Sequence, residues 1–367
     1  MKCTNKQQKT NKQTNPYSLI KLFSLLTLLI FTACGGGGGG GGGTEPVTSS
    51  GTSTQTPTPT PTPTLTAPTI QVPTGKALLS GSKVGISTSV AGATIYYTLD
   101  GTEPTSSSSV YTTNKVTINS ACTLKAVAIN NGVSSDVVSA TYSIATIKNA
   151  PDAVNDIVFK DGKAVAYSTD LYFTDEFKAN AIAMIFFREL TAYTTRTFGV
   201  GLKCSDSPMK WCLGTANAYN TNIYTIQCPA SGSAGTYTFS GDKDGSDNLS
   251  QIATLLAGSN DTGIAGNYPA FEYAKNYGST NGCTGAYANG WYLPSIAELY
   301  QIYKKRTSID AAVALCGLID TFSNTYFWSS SQYASIDHWA YLYSFEDGIY
   351  DEYFKDHGFK VCAIREF

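Results

Sequence analysis

Residues 35–68 limit what this chain can fold into. Nine consecutive glycines occupy 35–43, and a Ser/Thr/Pro tract at 44–68 contains the repeat Thr56-Pro57-Thr58-Pro59-Thr60-Pro61-Thr62-Pro63. Such a stretch has no apolar face to bury. Glycine runs behave as coil and Thr-Pro repeats as stiff, polyproline-like spacer. Residues 34–68 are therefore expected to be a tether, with folded structure beginning after them. The glycines match a dinucleotide-binding fingerprint by letter alone, since no strand pattern precedes them and no helix pattern follows.

What precedes the tether reads as an export signal. Lys2, Lys6, Lys9 and Lys12 come before an apolar run from Leu19 to Phe31 that stops at Thr32-Ala33-Cys34. The run is shorter and more interrupted than the about 20 apolar residues a membrane span needs. Ala33 followed by Cys34 resembles the bacterial lipobox, with Phe31 standing where leucine is usual. That resemblance implies cleavage after residue 33, acylation of Cys34 and attachment to a membrane through the lipid, the outer membrane being favoured.

About 300 residues remain, enough for two domains. The net charge of −2 argues against nucleic acid as a partner. Charged residues make up 14% of the chain and tyrosine numbers 24, the composition of a β-rich, loop-rich exported protein. Beyond Cys3 and Cys34 the chain keeps Cys122, Cys204, Cys212, Cys228, Cys283, Cys316 and Cys362. The last six predict up to three disulfides in an oxidising compartment, in connectivities that spacing leaves open. Without a C-x-x-C pair, and with only His338 and His357 as histidines, zinc is not expected.

Residues 69–145 read as short alternating strands. Ile95, Tyr97 and Leu99 share one face, Asp100-Gly101 is a turn, and Thr123-Leu124-Lys125-Ala126-Val127-Ala128 alternates again. A small all-β sandwich is expected. Tyr96-Tyr97-Thr98-Leu99-Asp100-Gly101-Thr102-Glu103-Pro104-Thr105, followed by Leu124-Lys125-Ala126-Val127-Ala128, resembles the chitobiase/β-hexosaminidase C-terminal-type domain. The resemblance implies an immunoglobulin-like accessory module. Asp100 and Glu103 are expected to be turn residues, not a catalytic pair.

From residue 149 to 367 the pattern becomes α+β. Short helical signals at 174–176, 248–256 and 269–277 mingle with strand signals at 197–202, 326–331, 338–345 and 359–367; residues 181–187 fit either a helix or a buried strand. Ser295 and Glu298 have capping-box spacing ahead of the helical face Ile296, Leu299, Tyr300 and Tyr303. Gly290-Trp291-Tyr292-Leu293-Pro294-Ser295, Phe327-Trp328-Ser329-Ser330-Ser331, Trp339-Ala340 and Val361-Cys362-Ala363-Ile364-Arg365 stand in the order of bacterial Lcl C-terminal-like domains, and this part resembles them. The resemblance implies a C-type-lectin-like fold, related to the formylglycine-generating-enzyme type, that displays a binding surface.

Motifs for chemistry are sparse. The Glu-Pro-Asn and Trp-Asn-Asp sets of calcium-dependent lectins do not occur here. The oxygen-rich loop 241–248 lacks EF-hand spacing and is expected to be a turn in which Asp247 or Asn248 caps the next helix. No G-x-S-x-G or H-E-x-x-H motif is present. His338 with Ser329–Ser331, and the acid pairs Glu346/Asp347 and Asp351/Glu352, are better read as sheet and loop residues. An enzyme of the formylglycine-generating type would need a reactive thiol, with Cys316 and Cys362 as candidates. No reaction class or cofactor is expected.

Segment 333–357 stands apart. It gathers Tyr333, Asp337, His338, Trp339, Tyr341, Tyr343, Asp347, Tyr350, Asp351, Tyr353 and His357. Tyrosine offers contact area with few rotors, and acids and histidine add adaptable hydrogen bonds, as in antibody combining sites. In related surface lipoproteins the equivalent segment is the ligand surface, and in some it is diversified by adenine-directed mutagenesis of a retroelement. The expectation is an adhesin-like surface lipoprotein binding a protein or glycan through these residues. The alternative is a carbohydrate-binding accessory protein acting beside glycan hydrolases.

Overall fold

The computed structural model describes residues 65–257, 266–319 and 321–367. Cys34, the expected leader and the expected tether up to residue 64 lie outside the described residues. Sheet dominates, and among the described residues the helices of eight residues or more are Asn248–Leu255, Pro269–Thr280 and Ile296–Leu315. None of the described helices is long and apolar enough to cross a membrane.

The first part is a β-sandwich. Its larger sheet runs Lys76–Leu78, Val138–Ile144, Cys122–Asn130, Thr94–Thr98 and Ser109–Val110, with the pairs Ser82–Val84/Val116–Ile118 and Thr69–Ile70/Ile86–Ser87 completing it. Val72, Leu78, Val84, Ile95, Ile118, Leu124 and Tyr142 fill the core. The turn after Thr94–Thr98 forms as the residue types dictate. Asp100 accepts hydrogen bonds from the Thr102 amide at 3.0 Å and hydroxyl at 2.6 Å, and Gly101 takes the left-handed conformation at φ +81°. Glu103 is engaged by Lys125.

Between Ile144 and Ile147 the chain enters a seven-stranded sheet. The order is Ile147–Lys148, Ala164–Ala166, Asp156–Phe159, Ala181–Leu190, Thr195–Gly201, Ile364–Glu366 and Trp291–Tyr292. Residues 181–190 are thus strand, buried on both faces from Ile182 to Phe186. The strand expected at 359–367 is split into Gly358–Phe359 and Ile364–Glu366. Between them, Val361 exchanges hydrogen bonds with Ser205, from its amide to Oγ at 3.0 Å and to its carbonyl from the Ser205 amide at 2.9 Å, so a distant loop satisfies that backbone.

The two parts share backbone and core. Leu78 lies in the sandwich core, and its neighbour Leu79 lies in the core of the second part. Ala77 donates to Asp170 O at 2.9 Å and accepts from Tyr172 N at 3.0 Å.

A three-stranded antiparallel sheet, Tyr326–Gln332, Trp339–Ser344 and Tyr350–Phe354, completes the second part. Its middle strand divides two cores. Tyr341 and Tyr343 point into one with Phe327, Phe345 and Tyr300, whereas Ala340 and Leu342 point into the other with Trp211 and Trp328. The long helix Ile296–Leu315 packs on the first core and starts with the expected capping box. Ser295 Oγ accepts from Glu298 N at 3.2 Å, and Glu298 Oε2 accepts from Ser295 N at 2.8 Å.

The expectation of up to three disulfides is not met at Cys228, Cys283, Cys316 and Cys362. Cys228, Cys316 and Cys362 are thiols in one core, Cys283 is a thiol in the other, and Cys122 is a thiol in the sandwich. Apolar packing, not cross-linking, explains their burial.

Candidate functional site

The strand Tyr350–Phe354 is the free edge of the three-stranded sheet. It pairs with its neighbour in the register Trp339↔Phe354, Ala340↔Tyr353, Tyr341↔Glu352, Leu342↔Asp351 and Tyr343↔Tyr350. Alternation then sends Trp339, Phe354 and Tyr350 to one face and Tyr353 and Asp351 to the other.

On the first face, Tyr333 stacks on Trp339 at 6.0 Å between ring centroids, Trp339 meets Phe354 at 5.5 Å, and Phe354 stacks on His338 at 5.5 Å. His338 Nδ1 lies 2.9 Å from Asp337 Oδ1, and this contact with the imidazole holds the Asp337 carboxyl below the usual range. Trp339 Nε1 is shielded from solvent and makes no hydrogen bond. On the second face, Tyr353 and His357 approach to 4.7 Å, with Phe359 at 5.5 Å from each. Asp347 is exposed in the turn before the edge strand, and Asp351 is exposed on the strand itself.

Two predicted contact residues are corrected. Tyr341 is 3% exposed and Tyr343 is 0% exposed, so neither is available to a ligand. Tyr343 O–H donates to Gly348 O at 2.8 Å inside the core. Tyr350 is half-buried against Tyr237 at 5.0 Å. The predicted residues that are exposed are Asp347, Asp351, Tyr353 and His357, with Tyr333, Asp337, His338 and Trp339 partly covered.

Two residues of the segment were missed. Phe354 is 41% exposed and joins the rings on the first face. Its signal was an aromatic residue alternating with Glu352 and Tyr350 along the edge strand. Lys355 is fully buried, and its ammonium donates to Ala218 O and to Asp337 O, both at 2.6 Å, while lying 4.8 Å above the Trp211 ring. Burial pushes it down to about 8. It fastens the Asp337–His338 loop from beneath, as a bound cation would. The available signal was its place as the one lysine among the acids of 333–357.

The serines weighed for chemistry are committed elsewhere. Ser329 Oγ donates to Tyr341 O at 2.8 Å, Ser330 Oγ accepts from Asn248 Nδ2 at 2.8 Å, and Ser331 Oγ accepts from Ile296 N at 3.1 Å. Asp247 holds the N-cap position of the helix Asn248–Leu255 but makes no side-chain cap hydrogen bond, and Asp244 caps the short turn Gly245–Asp247 before it by accepting from Ser246 N. Asp247 Oδ1 accepts from Gln251 Nε2 at 2.7 Å. Among the described residues no three His, Cys, Asp or Glu side chains are placed to hold a metal ion. Burial pushes the Cys316 thiol up to about 12 and raises that of Cys362 further, the reverse of an activated nucleophile.

The arrangement is thus a β-rich chain: a sandwich joined to a sheet-and-helix part whose free edge carries aromatic and acidic side chains. Residues 72–141 match the sequence model of the chitobiase/beta-hexosaminidase C-terminal domain, so the sandwich is similar to that module. A search of curated proteins returns no match. Among solved structures, the chain is similar to a fimbrial protein from Bacteroides ovatus ATCC 8483, with 12% identity and a TM-score of 0.42 over 78% of this chain and 66% of that one. This chain therefore spans just under two thirds of that protein's length.

Proposed function

We propose that the protein is a lipid-anchored surface protein whose second part, a C-type-lectin-like head of the Lcl C-terminal kind, binds a protein or glycan through the edge of its three-stranded sheet. Cys34 carries the lipid, residues 34–68 carry the head away from the membrane, and the outer membrane is the favoured site. The observation that supports the reading is the exposed edge itself. Phe354 stands beside Trp339 and His338 on one face of the edge strand, and Tyr353 stands beside His357 on the other, on a sheet whose interior is closed by Tyr341 and Tyr343. Exposed aromatic side chains on a rigid sheet supply contact area at small entropic cost. The test is to replace Trp339, Tyr353 and Phe354 together by alanine in the full chain and to measure adhesion to cells and retention on a glycan array. Adhesion unchanged in a folded variant contradicts the reading. Any diversification of this segment falls on exposed positions, and near-copies varying at Tyr341 or Tyr343 would contradict that.

A second reading, a carbohydrate-binding accessory protein, is favoured by the match over residues 72–141. Glycan retention that survives the triple replacement would move the contact to the sandwich.

A further inference from the structure

A cleft of about 320 Å3, at the lower end of small-molecule sites, lies between the hairpin formed by Ala181–Leu190 and Thr195–Gly201 and the first turns of the helix Ile296–Leu315. The hairpin presents two cross-strand pairs to it, Phe187 with Phe198 and Glu189 with Arg196. The phenyl rings are 6.1 Å apart. Lys243 and Asp244 line one end, and Glu298 and Gln301 line the helix side.

The charges in this cleft do not balance. Arg196 is already held by Asp244 at 3.2 Å and Glu366 at 3.0 Å, and its guanidinium carbon lies over the Phe198 ring at 4.7 Å from the centroid. Glu298 makes no ion pair among the described residues. The buried carboxylate Asp156 shows the contrast, since Lys148 meets it at 2.8 Å. The capping box accounts for one Glu298 oxygen only. Oε2 accepts from the Ser295 and Gly245 amides at 2.8 and 3.0 Å. Oε1 accepts from Tyr292 O–H alone, at 2.8 Å, which leaves it a lone pair. Burial, opposed by these hydrogen bonds and reinforced by the Asp244 charge, pushes the carboxyl up to about 7. Such a group in a cleft lacks a cation.

We propose that this cleft binds a small organic cation, a primary ammonium on a compact body, with the ammonium on Glu298 Oε1 and the body against Phe187 and Phe198. The acids Glu189, Asp244 and Glu298 disfavour an anion, with Lys243 as the one cation of the cleft not already paired. The size admits about one ring.

The test titrates the full chain with benzylamine and with D-glucosamine, each against its neutral counterpart, benzyl alcohol or D-glucose, by saturation-transfer NMR and calorimetry. Saturable binding of at least one amine, about tenfold tighter than its neutral partner, is expected from one charge-assisted hydrogen bond. The arm that binds identifies the body as apolar or sugar. Glu298→Gln, which keeps the acceptor of the capping box, should remove the preference for the amine. Gln301→Trp, which fills the mouth without touching the cap, should abolish binding, and it carries the test if Glu298→Gln does not fold. Equal binding of amine and neutral partner, no saturable binding of either amine at millimolar concentration, or binding unchanged in Gln301→Trp overturns the proposal.

Discussion

The ammonium of Lys355 donates to the main-chain carbonyl of Asp337, 2.6 Å away, and so ties the edge strand to the loop that carries His338. Replacing Lys355 by methionine strands that carbonyl and the Ala218 carbonyl in the interior. A loss of about 1–3 kcal/mol is expected from the unsatisfied acceptors. Hydrogen exchange of the amides at 333–339 should quicken in the variant more than that of the helix Ile296–Leu315; equal change in both would assign Lys355 a purely global role.

The same lysine gives a pH signature. Its folded-state value, about 8, lies below the ordinary 10.5. Between those values the unfolded chain binds the extra proton, so this group adds stability as pH rises through the window and withholds it below about 8. Unfolding curves of the Lys355→Met variant should be flatter than those of the parent over that range.

Glu298 acts in the opposite sense. Its carboxyl is raised from 4.5 to about 7, chiefly by burial. The folded chain then holds the proton more tightly, so the contribution is full below about 4.5 and is lost as pH climbs to about 7. Melting of the parent and of Glu298→Gln, compared across that interval, should show the parent losing more stability than the variant.

Position on the sheet separates Tyr343 from Phe354. Tyr343→Ala empties a core site and should cost about 3–5 kcal/mol, whereas Phe354→Ala should change stability by less than about 1 kcal/mol. Denaturant unfolding measures both. A large loss at Phe354 would make the edge rings structural, not ligand-facing.

Ser295 both caps the long helix and donates from Oγ to Lys243 O at 2.7 Å. Ser295→Ala should therefore cost about 1–2 kcal/mol, toward the upper part of the range for lost caps. Restoration by Ser295→Thr, which keeps the hydroxyl, would confirm that the hydroxyl is what matters.

Short-range features were legible in the sequence, and those made by distant partners were not. Ser295 and Glu298 lie three residues apart, and the Asp100-Gly101 turn closes on Thr102, so spacing alone reveals both. Tyr341 and Tyr343 alternate with Ala340 and Leu342, a pattern that reads as one wet and one dry face. The structure covers both faces, because Tyr300 and Phe345 meet the tyrosines while Trp211 and Trp328 meet the small side. No local pattern announces a second cover. The count of cysteines misled for a related reason: it suggested pairing, yet Cys228, Cys316 and Cys362 are thiols packed among apolar side chains of one core and Cys283 among those of the other.

Leu78 and Leu79 are adjacent in the chain and serve different interiors. An accessory module that recombination moves freely between hosts needs an outer surface complete in itself. Here one leucine of the module is part of its neighbour, so cutting the sandwich away would leave an adhesive spot on it and a hole in what remains. The two parts are therefore interlocked at this pair, and neither closes its own surface without the other.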